Sequence, residues 1–214
     1  MKSPELSEKP ISITDYIAIA RPDHWVKNIF MLPGAALALI VDDQAGLGAL
    51  AWLVVGIVST CLVASANYTI NEYLDGEFDR HHPTKSSRPT AQGRIRPQFV
   101  LLQYLLLGGI GLYLASFLNP MFFYASVLLL IMGILYNVEP IRTKDRAYLD
   151  VLSESVNNPI RLVLGWAAIT TIVLPPSSFL LSYWMGGAYL MAIKRYAEYR
   201  MINDPARAGL YRRS

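Results

Sequence analysis

Cysteine is all but missing. Cys61 is the single thiol in 214 residues, so no intrachain disulfide and no thiolate metal cluster can be built. It lies inside an apolar run, where a small packed residue is expected. Charge is scarce as well: Asp, Glu, Lys and Arg make up 16% of the chain against 53% hydrophobic residues, too few to cover an ordinary soluble domain. No cleavable leader is expected either, because the opening MKSPELSEKPISITDY has no apolar core ahead of a small-residue site. Targeting then falls to the first apolar helix.

Apolar residues are plentiful, and they come in six runs, at approximately 25–41, 47–70, 99–117, 121–136, 151–173 and 179–193. A bilayer core of about 30 Å needs roughly 20 helical residues, so the chain reads as an all-α, polytopic membrane bundle of about six transmembrane helices. The first, fourth and sixth runs are short enough to require tilt, a kink or partial insertion. Residues 1–20 read as a cytoplasmic tail ending in a short interfacial helix over 11–20, and 21–214 as one membrane domain. In the first run, Trp25 suits the headgroup level and Pro33 with Gly34 suits a bend. Gly108, Gly109 and Gly111 in the third run suit close helix approach.

The basic residues report topology. Of 19 Lys and Arg, all except Arg161 fall on alternate loops, the positive-inside pattern with a cytoplasmic N-terminus. The net charge of +3 is thereby explained without nucleic acid, which is not expected as a partner. Membrane lipid is.

The chain is organised around 71–96, NEYLDGEFDRHHPTKSSRPTAQGRIR, directly behind the second run. Asn71, Asp75 and Asp79 stand at i, i+4 and i+8, so a helix continuing into this segment would turn all three to one side near its end. Arg80, Lys85, Arg88, Arg94 and Arg96 follow. Hard oxygen ligands beside cations suit Mg²⁺ and a phosphorylated substrate, since Mg²⁺ takes one or two carboxylates together with substrate phosphates. A second constellation follows the fourth run: Asp150, Glu154 and Asn158 at the same spacing, then Arg161, with Arg142 and Lys144 ahead of them. Arg161 lies deep in an apolar run, where a charge costs about 2.5–3.5 kcal/mol to insert, so it should face the interior and have a partner. A structural ion pair with Glu154 is the plain alternative. Lys194, Arg195, Glu198 and Arg200 read as a solvated cytoplasmic helix end.

NxxxDxxxD at the end of the second membrane helix, followed by an acidic helix start after the fourth, resembles the UbiA superfamily of intramembrane prenyltransferases. RPDHWVKN, NEYLDGEFDRHHPTKSSRP and LDV with an Arg eleven residues beyond its Asp resemble the branch that contains decaprenyl-phosphate phosphoribosyltransferase. The resemblance covers nearly all of 21–200. It implies a helical fold, usually of nine helices, with a cavity open to the cytoplasm of a bacterial inner membrane. Against nine, six runs imply a piece of a longer chain. Asn71, Asp75, Asp79, Asp150 and Glu154 would then hold Mg²⁺, the four carboxylates being catalytic, and Lys85, Arg88 and Arg161 would hold phosphate oxygens. Lys27, Lys144, Asn71 and Asn158 complete the implied substrate contacts. Two places depart from the family pattern: Glu72 stands where Asp is common, and Asn157, Asn158 and Pro159 stand where the phosphoribosyl branch carries a glycine-containing segment.

The implied reaction breaks a C1–diphosphate bond and passes the group to an acceptor in the membrane. Phosphoribosyl diphosphate with polyprenyl (decaprenyl) phosphate as acceptor is the first expectation. An isoprenyl diphosphate with an aromatic or other lipid acceptor is the alternative. A transporter would place polar groups along a path through the bilayer, whereas here they gather at one edge. An inactive membrane scaffold is the remaining reading.

Overall fold

The chain folds entirely into helices in a computed structural model, which describes residues 12–42, 46, 48–80 and 84–202. The tail expected over 1–10 and the basic stretch at 203–214 lie outside the described residues. A short helix does form where the interfacial one is expected, α1 (Ile13–Ala20), docked by an Asp15–Arg94 ion pair at 3.0 Å and by the Arg96 N–H donating to Tyr16 Oη at 3.1 Å. Arg21 then takes a left-handed backbone (φ 52°) and ends it. Pro22 opens a ten-residue 3₁₀ helix (Pro22–Met31) that runs into α2 (Leu32–Val41), so the expected bend is a change of helix type just ahead of Pro33.

The second run and the polar segment behind it form one unbroken helix, α3 (Gly48–Asp79). Pro97 and Pro120 sit in the first turns of α4 (Pro97–Ser116) and α5 (Pro120–Asn137), where a missing N–H costs nothing. Asn119 caps α5, its Oδ1 accepting from the Phe122 N–H at 2.9 Å. The fifth run does not stay whole. It breaks at Val156 into α6 (Leu149–Ser155) and α7 (Asn157–Ala167), because Pro159 has no N–H to offer the Ser155 carbonyl and its ring crowds that turn. The sixth run becomes α8 (Ser177–Ile202).

All six runs are therefore helical over most of their length, the fifth leaving its helix after Ala167, and among the described residues four segments are long and apolar enough to cross a membrane: Ile13–Val41, Gly48–Asp79, Pro97–Ser116 and Pro120–Asn137. With their apolar faces turned outward, as at Leu101, Leu102, Leu105, Leu106 and Ile110 on α4, they make this an integral membrane protein. Inside, Val63, Ala115, Phe122, Leu129, Ile160 and Leu164 form a core shared by α3, α4, α5 and α7. Close approach rests on small residues: a side chain at Gly34 would meet the Leu162 carbonyl, and one at Gly165 the Met31 carbonyl, so α2 and α7 touch backbone to backbone. Gly111 does the same between α4 and α3, whereas Gly109 faces open space. Side-chain donors tie the helices further, with Ser59 Oγ on the Gly111 carbonyl at 2.8 Å and Asn67 Nδ2 on the Leu129 carbonyl at 2.8 Å.

Candidate active site

The polar ends of these helices enclose a cavity of about 290 Å³. α3 supplies Asn67, Tyr68, Asn71 and Asp75, all on the side that continues the buried stripe. The 3₁₀ helix adds Arg21, His24 and Lys27, and the loop behind α3 adds Lys85 and Arg88. Tyr136 and Asn137 come from the end of α5, Lys144 from the following turn, Glu154 from α6, Asn157 and Arg161 from α7, and Lys194 and Arg195 from α8. Eight lysine and arginine side chains thus line the cavity against two carboxylates, Asp75 and Glu154. A polyanion is what such a wall attracts.

The first motif divides between two faces. Asn71 and Asp75 lie within about 40° of each other around the helix, but Asp79 is turned about 80° from Asn71 and shares its face with Glu72 instead. Asp79 and Glu72, both buried, bind Arg88 NH1 at 2.8 and 3.2 Å, and Arg21 approaches Glu72 at 3.6 Å. Asp79 does not line the cavity. Asp75 and Asn71 do, and Lys144 Nζ bridges them: it donates to Asp75 Oδ1, to Asn71 Oδ1 at 3.2 Å and to Asn137 Oδ1 at 3.0 Å. Arg142 reaches the same Asp75 oxygen at 3.3 Å while holding Asp145 at 2.8 Å. Burial pushes the Lys144 ammonium below the usual lysine range, with Asp75 pulling the other way. Lys85 is lowered for the same reason, against the pull of Glu198 and Asp79.

The second motif is divided as well, across the junction of α6 and α7. Asp150 is buried behind the cavity wall, held by Arg195 at 2.8 Å, with Tyr136 Oη at 3.2 Å. Glu154 faces the cavity and accepts from Asn157 Nδ2 at 3.4 Å. Asn158, expected on the same face, is rotated away and packs against Gly187 on α8, and Asn157 lines the cavity in its place. Arg161 is buried and has its partner, though not Glu154: Nε donates to Asn28 Oδ1 at 3.0 Å and NH1 to the Asn157 carbonyl at 3.2 Å. Asn28 in turn donates to Cys61 Sγ at 3.1 Å, which gives the lone cysteine a place behind the arginine. Lys27 stands over the Tyr68 ring at 5.3 Å rather than serving only as a membrane anchor.

Sequence reasoning missed Lys194 and Arg195, read as a solvated helix end. Both line the cavity, and Arg195 joins Asp150 to Glu198, which also pairs with Lys85 at 3.6 Å. The Arg195–Glu198 spacing of i, i+3 was legible, but not that α8 folds back over the motifs. Asn67 and Asn157 each leave a buried Oδ1 without a protein hydrogen-bond partner, and so does His24 with Nδ1, all three residues lining the cavity. Orphaned polar atoms of this kind are satisfied by a ligand or its water.

Mg²⁺ is compatible with one part of this wall. Asn71, Asp75 and Asn137 present hard oxygens that already converge on one cation, the Lys144 ammonium. Among the described residues, no group of three or more His, Cys, Asp or Glu gathers to form an all-protein metal site. A divalent ion held here would need oxygens from a bound anion, the usual condition for Mg²⁺.

Comparison with known proteins agrees with the fold. Decaprenyl-phosphate phosphoribosyltransferase of Mycolicibacterium smegmatis is 32% identical over 196 residues, which covers 88% of this chain and 58% of that protein. Protoheme IX farnesyltransferase of Alkalihalophilus pseudofirmus is 26% identical over 89% of this chain and 62% of its own length. The chain thus spans about three fifths of these relatives. A solved UbiA homologue from Archaeoglobus fulgidus, bound to DMAPP and Mg²⁺, superposes with a TM-score of 0.75 at 23% identity over 92% of this chain and 67% of that one, so the two share a fold. The profile of the UbiA prenyltransferase family matches residues 29–212, most of the chain, and the chain belongs to the UbiA prenyltransferase family.

Proposed function

We propose that the chain is the catalytic part of a Mg²⁺-dependent membrane transferase that cleaves a C1–diphosphate donor and passes the group to a lipid-held acceptor. The first choice is 5-phosphoribosyl transfer from phosphoribosyl diphosphate to a polyprenyl phosphate. The observation that carries this choice is the charge of the cavity: among the described residues, Lys27, Arg161 and Lys194 line it without a carboxylate partner, beside five cations that have one, and a donor with a further phosphate together with a phosphorylated acceptor would use those three. The mycobacterial relative supports the same reading.

Mg²⁺, when bound, would draw charge from the departing diphosphate. Asn71 and Asp75 would hold it, with Glu154 on the opposite wall. Asp79 would act at one remove by fixing Arg88, and Asp150 by fixing Arg195. Lys85, Lys144 and Lys194 would bind diphosphate oxygens, and Arg161 and Lys27 would hold a second phosphate beside Tyr68. The apolar helix faces below would keep water from the electron-poor C1 atom. Isoprenyl transfer to a lipid acceptor is the second reading, favoured by the farnesyltransferase relative.

Pyrophosphate release separates the two. With membranes carrying the complete reading frame, Mg²⁺ and polyprenyl phosphate, release is expected from phosphoribosyl diphosphate and not from isoprenyl diphosphates. Release from isoprenyl diphosphates alone would establish the second reading.

A further inference from the structure

The Lys144 ammonium sits where a metal would. Its side chain is 8% exposed, and it comes from the short 3₁₀ turn Thr143–Asp145 rather than from a long helix. Three oxygens from two different helices meet it: Asn71 and Asp75 from α3 and Asn137 from α5. Asn137 Nδ2 is itself fixed on the Gly133 carbonyl at 2.8 Å, so its oxygen is aimed rather than free to turn. Asn71, Asp75, Asn137 and Lys144 all border the cavity, which gives the ammonium a short path towards any anion bound there.

We propose that Lys144 is an internal cation that holds the metal position, so that the Asn71–Asp75 oxygens accept a divalent ion only together with a diphosphate. The proposal rests on the reading of the cavity as a diphosphate site. An ammonium and a divalent ion cannot share one set of oxygens at close range, since like charges in a partly buried site repel strongly. Arg142 on the same Asp75 oxygen adds to that repulsion. A diphosphate changes the balance by offering Lys144 new oxygen partners and by contributing its own to the metal. Metal and diphosphate then raise each other's affinity by the same factor, as linkage requires. The device also keeps the Asp75 side chain in place between turnovers.

Mn²⁺ is a suitable probe, because its free ion is counted by electron paramagnetic resonance without any turnover. The experiment uses the full chain in detergent, with Mn²⁺ alone and Mn²⁺ with inorganic pyrophosphate, against a protein-free control for the Mn²⁺–pyrophosphate complex. Wild-type protein is expected to bind Mn²⁺ at least tenfold more tightly with pyrophosphate than without it. Lys144→Met, or Lys144→Gln if the first does not fold, should bind Mn²⁺ at least tenfold more tightly than wild type in the absence of pyrophosphate, and adding Asp75→Asn should undo the gain. Equal Mn²⁺ affinity in wild type and both Lys144 variants would overturn the proposal. Radiolabelled pyrophosphate binding is measured alongside: if the wild type binds none, the diphosphate reading of the cavity fails, while the Lys144 arm still decides whether that ammonium excludes the metal.

Discussion

At the scale of single residues, Arg88 shows how a site cation can also be structural. Its guanidinium is 23% exposed, but the carboxylates it binds, Glu72 and Asp79, are almost fully buried. Removing one partner of a buried pair leaves an uncompensated charge and costs about 3–5 kcal/mol, less where water reaches the pair as it does here. Arg88→Ala should therefore lower stability by about 3 kcal/mol, read as a lower thermal unfolding midpoint in detergent, and Asp79→Asn with Glu72→Gln should restore most of it. An unchanged midpoint would mean that Arg88 serves the ligand alone. The residue types of the site were legible in the sequence. Their partners were not, because fourfold spacing drifts around a helix: it brings Asn71 and Asp75 together and carries Asp79 onto the Glu72 face. Asn158 failed for a related reason, since the same drift carries it to the α8 side at Gly187 and leaves Asn157 on the cavity side.

The helix break at Val156 stands out among the elements. Glu154 and Arg161, seven residues apart and so nearly on one face, both line the cavity across it, and α7 lies against α2 at Gly34 and Gly165. Pro159 is the visible cause of the break. Pro159→Ala restores an N–H for the Ser155 carbonyl and is expected to join α6 to α7 with Glu154 still facing the cavity. Hydrogen exchange checks it directly: the amides of Asn157, Asn158 and Ile160 should exchange more slowly in the variant, and unchanged exchange would show that the break has another origin. The apolar runs predicted every long helix. Apolarity alone could not show the break, because the run reads as continuous from one helix into the next. Nor could it bring α8 back over the motifs, since the Arg195–Asp150 pair joins positions 45 residues apart.

For the molecule as a whole, charge placement and the position of the cavity make one statement about orientation. The basic loops after α3 and α5 and the end of α8 all meet at the cavity, so the surface that the positive-inside rule assigns to the cytoplasm is the surface that carries the site. Cys61 is the only natural cysteine and is buried, which leaves a quiet background for labelling. In sealed inverted vesicles, a cysteine at Ser87 should react with a membrane-impermeant thiol reagent, and one at Ser116, near the α4–α5 turn, should not. The reverse pattern would turn the site outward and remove access to a water-soluble donor from the cytoplasm. The gathering of the basic loops at one end of the helices was legible from the sequence alone. The surplus of cations in the cavity was only partly so, because Lys194 and Arg195 join it through the fold.

The central claim, that Asp75 and the cations around it transfer a group from a diphosphate to a lipid, is tested most directly by following label. Membranes carrying the complete reading frame receive Mg²⁺, polyprenyl phosphate and phosphoribosyl diphosphate labelled in the ribose, and the lipid phase is counted. Label should enter lipid with wild-type protein and fall at least about 10²-fold with Asp75→Asn at equal membrane insertion. Undiminished transfer by Asp75→Asn would contradict the account.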